Sequence, residues 1–374
     1  MRSKVLRSAF FVILILLTAC DTTKTSLQQE PVIISEKSFY KTSDVGTDVF
    51  TITKAAGNDH IFYQEPNYFN PQSFLFLFTS DRGDGKWRLY ISNLTSGEVS
   101  LLRKSDLFGH IPTWSSDGKK IYLGEKAKII AVELKTSTET KIKVPQDSWI
   151  TFLHVNSAGD KILFIEEGME EHKGLSIINT DGAGYRRLFS TDSETVFYLD
   201  HPTFINDDTI LFLTRGKNRD FNGNYNQPYL LDLHEENGKL TRLPVECSHY
   251  DVNPQGDKIL CASEGYIIDL TGRVLKNISR IKGHGAWAPD GDTFLMTGDP
   301  MPVPDGPSYG KIVIMKFSSN DSYNLVSHES TYDSSLEMHI QPNAQFSQDG
   351  KYVIYESDRG QMQNSDLYLV KVLE

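Results

Sequence analysis

The chain has 374 residues, 39% of them apolar and 11% aromatic, so it can bury a large core, and its length fits one large all-β domain. Disorder is not expected beyond the N-terminal stretch. A formal net charge of −11 argues against nucleic acid as a partner, and an anionic ligand would need a local group of cations set against that field.

The N-terminal residues read apart from the fold. Arg2, Lys4 and Arg7 make a basic start, Phe10 to Leu17 is an apolar run too short to span a bilayer, and Leu17-Thr18-Ala19-Cys20 follows. That tetrapeptide resembles a bacterial lipobox, which makes 1–19 a lipoprotein signal peptide and Cys20 the lipidated first residue of an exported chain. The chain is then held at the cell envelope, on the periplasmic side, by its lipid anchor alone. Losing the signal removes three positive charges, so the formal charge falls from −11 to −14. Residues 20–36, polar and rich in Thr, Ser and Gln, read as a tether to a domain spanning 37–374. Asp21 resembles an inner-membrane retention signal of enterobacteria; inner and outer membrane both stay open.

The domain is built from a repeat. A tight turn rich in Asp, Gly and Asn lies within each of Tyr68-Phe-Asn-Pro-Gln, Trp114-Ser-Ser-Asp-Gly, Val155-Asn-Ser-Ala-Gly, Phe204-Ile-Asn-Asp-Asp, Val252-Asn-Pro-Gln-Gly, Trp287-Ala-Pro-Asp-Gly and Phe346-Ser-Gln-Asp-Gly. An apolar strand comes next, then a loop and an alternating strand such as Leu89-Tyr90-Ile91 or Leu367-Tyr368-Leu369. Asp-Gly supplies the backbone freedom of a hairpin, and Val, Ile, Phe and Tyr suit sheet packing. Seven units of about 35–45 residues predict an all-β, seven-bladed β-propeller with four-stranded antiparallel blades. A pair of β-sandwiches is the structural alternative; no sustained helical period supports an α/β fold. The turns resemble those of TolB-type and WD40-like propellers, which says little about activity.

Residues that break the repeat carry the chemistry. His60, His201, His249 and His284 each stand just before the first strand motif of a unit, with His339 close to the last one. The innermost strands of a propeller line its channel, so these histidines can converge on one face; singly, each reads as a surface or core residue. Cys247 and Cys261 flank the Gly256 turn, where a disulfide is allowed by export but not required.

Along most of the domain, in order, the sequence resembles the oligogalacturonate lyases of the seven-bladed propeller type. The matching stretches are His60-Ile-Phe-Tyr63-Gln64, Val144-Pro-Gln-Asp-Ser-Trp149, His201-Pro202-Thr-Phe, Cys247-Ser248-His249, Gly283-His284 with Leu295-Met-Thr-Gly-Asp299, and Gln341-Pro342-Asn343-Ala-Gln-Phe346. The resemblance implies β-elimination on an anionic uronate oligosaccharide, with His249 as the base. It implies a divalent metal, manganese or else calcium, held by a histidine at the position of His284 and by the positions of Gln341 and Asn343, where the family has His-Pro-His. Met338 stands where the family has a fourth ligand, and His339 can substitute from one residue away. It also implies substrate contacts at His60, Tyr63, Gln64 and His201. The family's carboxylate-holding arginine aligns with Gln227, so Arg280 and Lys282, or the loop Arg215 to Arg219, are the candidate replacements. The alternative to a lyase is a non-catalytic, TolB-like propeller that binds saccharide or a protein; a monomer is expected in both cases. A hydrolase is the remaining class, and no second domain has room for a triad like that of propeller-bearing peptidases.

Overall fold

The computed structural model describes residues 35–62, 68–106, 111–168, 173–191, 196–216, 225–234, 238–278, 283–298, 310–330, 332–333, 338–339, 341–359 and 364–373. Among them there is no α-helix, and seven antiparallel sheets form the blades of the expected propeller. Blade 1 begins with Asp59–His60 and ends with Val99–Arg103; blades 2 to 6 begin at Thr113–Trp114, Trp149–Val155, Val196–Asn206, Tyr250–Val252 and Gly283–Trp287. Each of these six has four strands in meander order. Blade 7 differs from the expected four: Gln345–Phe346, Tyr352–Ser357 and Asp366–Lys371 are completed by Asp48–Thr51 and Ser38–Thr42 from the other end of the domain. This closes the ring with hydrogen-bonded strands, so the first and last blades cannot separate without breaking a sheet.

The hairpin turns show why the repeat has its composition. In blade 2 Gly118 lies at φ 68°, its N–H donates to Ser115 O at 2.9 Å, and Ser115 Oγ donates to Asp117 Oδ1 at 2.7 Å. Ser347, Asp349 and Gly350 repeat that arrangement in blade 7, with Gly350 at φ 69°. A left-handed residue is needed to close such a turn, and Gly adopts it without a Cβ penalty. The second strand of each blade is buried on both faces: Phe76, Phe78, Ile121, Leu123, Phe164, Phe212, Phe294 and Tyr355 fill the space between neighbouring sheets.

Neighbouring innermost strands are joined by side chains. His154 Nδ1 of blade 3 accepts from Phe204 N of blade 4 at 3.1 Å, Asp251 Oδ2 of blade 5 from Trp287 N of blade 6 at 2.7 Å, and Gln345 Oε1 of blade 7 from Tyr68 N of blade 1 at 3.1 Å. At these three junctions a side chain thereby satisfies a backbone donor of the neighbouring blade.

Candidate active site at the channel mouth

The histidines share a place in the repeat. Counting back three residues from Phe204, Val252, Trp287 and Phe346 gives His201, His249, His284 and Asn343 in four successive blades. The same count from Val155 in blade 3 gives Phe152. Four of the five are left-handed: Phe152 at φ 51°, His201 at 49°, His249 at 46° and Asn343 at 41°. That conformation is strained for any residue with a Cβ, and it recurs because it re-aims the side chain where the first strand enters the blade. His60 reaches the matching place by pairing: it sits opposite Thr79, as His284 sits opposite Thr297.

His249 is the most firmly positioned of these groups. Cys247 is bonded to Cys261, Ser248 donates from N and Oγ to the Glu264 carboxylate at 2.9 and 2.7 Å, and His249 Nδ1 lies 2.8 Å from Ser263 Oγ. Three consecutive residues are thus tied to the end of the second strand and the connection that follows it. The His249 ring stacks on that of His284, with centroids 4.2 Å apart and planes 17° apart; His284 is fully buried, while His249 is half-buried. One face of the base candidate is covered by the second imidazole.

His201 is 5% exposed, with Asp200 Oδ1 3.0 Å from its Nδ1 and the rings of Phe152 and Tyr250 edge-on at 5.5 and 6.4 Å. Tyr250 donates its hydroxyl to His201 O. His201 is packed between its neighbours, whereas His60 keeps 38% of its side chain exposed. His60 Nδ1 lies 2.5 Å from Oε1 of Glu356, a residue only 1% exposed, and its ring meets Trp87 at 4.8 Å. Burial opposes protonation of His60 most strongly, but the carboxylates of Glu356, Asp59 and Asp81 together outweigh it and raise the imidazole pKa above its ordinary value.

Asn343 donates from Nδ2 to Ile61 O at 3.3 Å, which places blade 7 against the strand carrying His60. Asn343 Oδ1 is buried and meets no hydrogen-bond donor among the described residues. Gln341 is half-buried beside it in the chain, and His339 lies in the short strand Met338–His339, paired with Tyr332–Asp333. The nominated metal donors are therefore one imidazole and two neutral amides, with His339 located only by its backbone. Among the described residues no three His, Cys, Asp or Glu side chains gather as a metal-holding group. Amide oxygens without a carboxylate bind hard divalent ions weakly, so this set does not fit a tight manganese site.

Gln227 is not brought to the histidines. Its amide nitrogen donates to Leu243 O at 2.6 Å and its oxygen accepts from Arg242 Nε at 2.7 Å, which ties it to the connection leaving blade 4. Tyr63, Gln64, Arg280, Lys282 and Cys20 lie outside the described residues, as does the side chain of Arg215 with the loop after it.

Sequence reasoning missed Ser263, Glu264, Trp87 and Glu356. Only Glu356 carries a legible signal: Phe78-Thr79-Ser80-Asp81-Arg82-Gly83 of blade 1 recurs in blade 7 as Tyr355-Glu356-Ser357-Asp358-Arg359-Gly360, with Glu in place of Thr. A second feature unforeseen in the sequence lies toward the hairpin end of the channel. A cavity of about 340 Å³ is lined there by His154, Thr203, Asp251, Trp287 and Gln345.

No family model and no curated protein matches this chain. Among solved structures it is similar to an oligogalacturonate lyase in complex with manganese, at 17% identity and a TM-score of 0.73, covering 93% of this chain and 98% of the other. It is equally similar to the oligogalacturonate lyase of Vibrio parahaemolyticus, at 17% identity and a TM-score of 0.74, covering 92% and 99%. The β-propeller domain of the Trilobed protease from Pyrococcus furiosus aligns at 15% identity and a TM-score of 0.54, over 85% and 94%. The likeness in all three is one of fold.

Proposed function

We propose that this chain is a lyase that cleaves uronate-containing oligosaccharides by β-elimination, with His249 as the base. The reaction removes the proton at C5, α to the carboxylate. The electron pair forms the C4–C5 double bond as the C4–O4 bond breaks, and the departing oxygen takes up a proton. The base must be neutral near ambient pH and held still, which suits an imidazole. The observation that carries the reading is the mounting of His249: three successive residues fastened to the end of the second strand and the connection after it, and one ring face covered by His284. In the proposed base form Nδ1–H donates to Ser263 Oγ and Nε2 takes the proton.

The fold shared with two oligogalacturonate lyases supports this reading. The exported location proposed from the N-terminal signal is supported by the disulfide, which persists in oxidising compartments, while the lipid anchor is proposed from Cys20 in the sequence alone. The test is incubation of the soluble part with oligogalacturonate, ulvan and glycosaminoglycan digests while following the ultraviolet absorbance of the unsaturated product. Accumulation on at least one uronate is expected, and silence on all of them sinks the proposal. From its amide-rich donor set, activity is expected to survive a chelator; abolition by chelator and rescue by manganese would restore the metal. A second reading, a propeller that binds saccharide without cleaving it, is favoured by that same replacement of charged or imidazole donors by Gln341 and Asn343.

A further inference from the structure

We infer that His60, held as an imidazolium by the buried carboxylate of Glu356, is the group that takes the substrate's carboxylate in this chain. The inference rests on the lyase reading and supplies a cation at the mouth from among the described residues. A uronate is a full anion before its α proton leaves, and the intermediate is more negative still, so a positive group must stand against the carboxylate. Neither a fitting metal set nor Gln227 provides it.

The geometry places His60 for the task. Its Nδ1 is turned onto Glu356 Oε1, and Glu356 Oε2 accepts from Ile61 N at 3.1 Å, so both carboxylate oxygens meet donors. With Nδ1 committed to a buried partner, the exposed part of the ring carries Nε2–H outward, free to donate a charge-assisted hydrogen bond. Trp87 covers the ring at 4.8 Å and adds an aromatic surface of the kind that packs on a sugar. His60 lies on the same arc as the base candidate: blade 1 touches blade 7 through Asn343, and Asn343 is in phase with His284 and His249. Glu356 replaces a threonine of the repeat, since Thr79 and Thr297 hold the corresponding places in blades 1 and 6. A buried carboxylate in a position otherwise filled by a hydroxyl needs a partner charge.

The groups facing His60 all act on its charge. Glu356 approaches from blade 7, and Asp59 and Asp81 contribute from blade 1; Asp59 is itself bonded to Arg82 at 2.8 Å. Their sum raises the His60 pKa, so the imidazolium persists above the pH at which a free histidine loses its proton, and uronate binding should fall as pH rises through that raised value.

The test compares Glu356→Thr, His60→Gln and the unaltered protein by calorimetry from acid to alkaline pH. The probes are a galacturonate trisaccharide, a glucuronate oligosaccharide and a neutral galactose trisaccharide. Glu356→Thr installs the residue the repeat already uses, and a matching thermal melt checks that it folds. Roughly tenfold weaker uronate binding at neutral pH is expected for both variants, with neutral-sugar binding unchanged. In Glu356→Thr the pH midpoint of binding should move down, toward the ordinary imidazole value. Equal uronate affinity and an unmoved midpoint in Glu356→Thr overturn the inference. If that variant does not fold, the His60 pKa is followed by NMR in the unaltered protein: saturating uronate should raise it, and no change overturns the inference. The two proposals fail separately. His60-dependent uronate binding without product removes the lyase and leaves the inference, whereas product formation indifferent to Glu356→Thr removes the inference and leaves the lyase. No uronate binding at all removes both.

Discussion

His154 and Asp251 face one cavity and titrate in opposite senses. Burial holds the His154 imidazole down at about 4, and its Nδ1 must stay unprotonated to accept from Phe204 N. Burial pushes the Asp251 carboxyl up to about 7 against two backbone donors that favour its charged form. For His154 the folded state binds fewer protons than the unfolded one, so its contribution is present above pH 6.5 and is lost as pH falls toward 4. For Asp251 the folded state binds more, so stability declines as pH rises from 4 through 7. Asp251→Asn keeps an acceptor for Trp287 N and removes the buried charge; it should raise stability at pH 8 by about 1–2 kcal/mol and leave it unchanged at pH 4, as denaturant midpoints at the two values will show. His328, also held at about 4 by burial, adds to the acid limb. Which residues do chemistry was only partly legible at this scale. His201, His249 and His284 stand out because a repeat makes their phase visible, yet nothing in the sequence tells packed His201 from accessible His249. That difference comes from Phe152 and Tyr250, contacts between blades that spacing does not encode.

The stretch before the first strand of blade 5 is the element on which the site depends. The Cys247–Cys261 bond closes a loop with a sequence separation of 14, and a cross-link of that length stabilises the folded state by about 3 kcal/mol through the unfolded chain. Changing both cysteines to serine should lower the unfolding free energy by about that much. It should also reduce turnover more than it weakens binding, because Ser248 and His249 lose one of their three anchors. A steady-state comparison of kcat with KM checks this; equal loss in both would assign the bond to stability alone. The hairpins were legible from Asp-Gly, Asn-Pro and related Asn, Asp and Gly turns, whose backbone preferences are local. The joining of first strands by His154, Asp251 and Gln345 was not, since each looks like an ordinary polar residue on an alternating strand.

Across the whole molecule, the repeat announced seven blades, but how they close was invisible in it. Ser38–Thr42 and Asp48–Thr51 carry no Asp-Gly turn, and only their pairing with Asp366–Lys371 shows that they complete blade 7. A buried cluster secures that join: Arg82 of blade 1 donates to Glu36 Oε1 at 2.7 Å and to both oxygens of Asp59 at 2.8 and 2.9 Å. Arg82→Ala strands two buried carboxylates and should destabilise the ring by about 3 kcal/mol or more, read from the denaturant midpoint. The ring matters for chemistry because it alone sets His60 of blade 1 beside Glu356 of blade 7 and carries the arc on to His249. The most direct measurement of that account is the initial rate of unsaturated uronate formation by the unaltered protein and by His249→Ala, at equal fold content verified by circular dichroism. At least about a hundredfold loss in the variant is predicted; product formation at the same rate in both would contradict it.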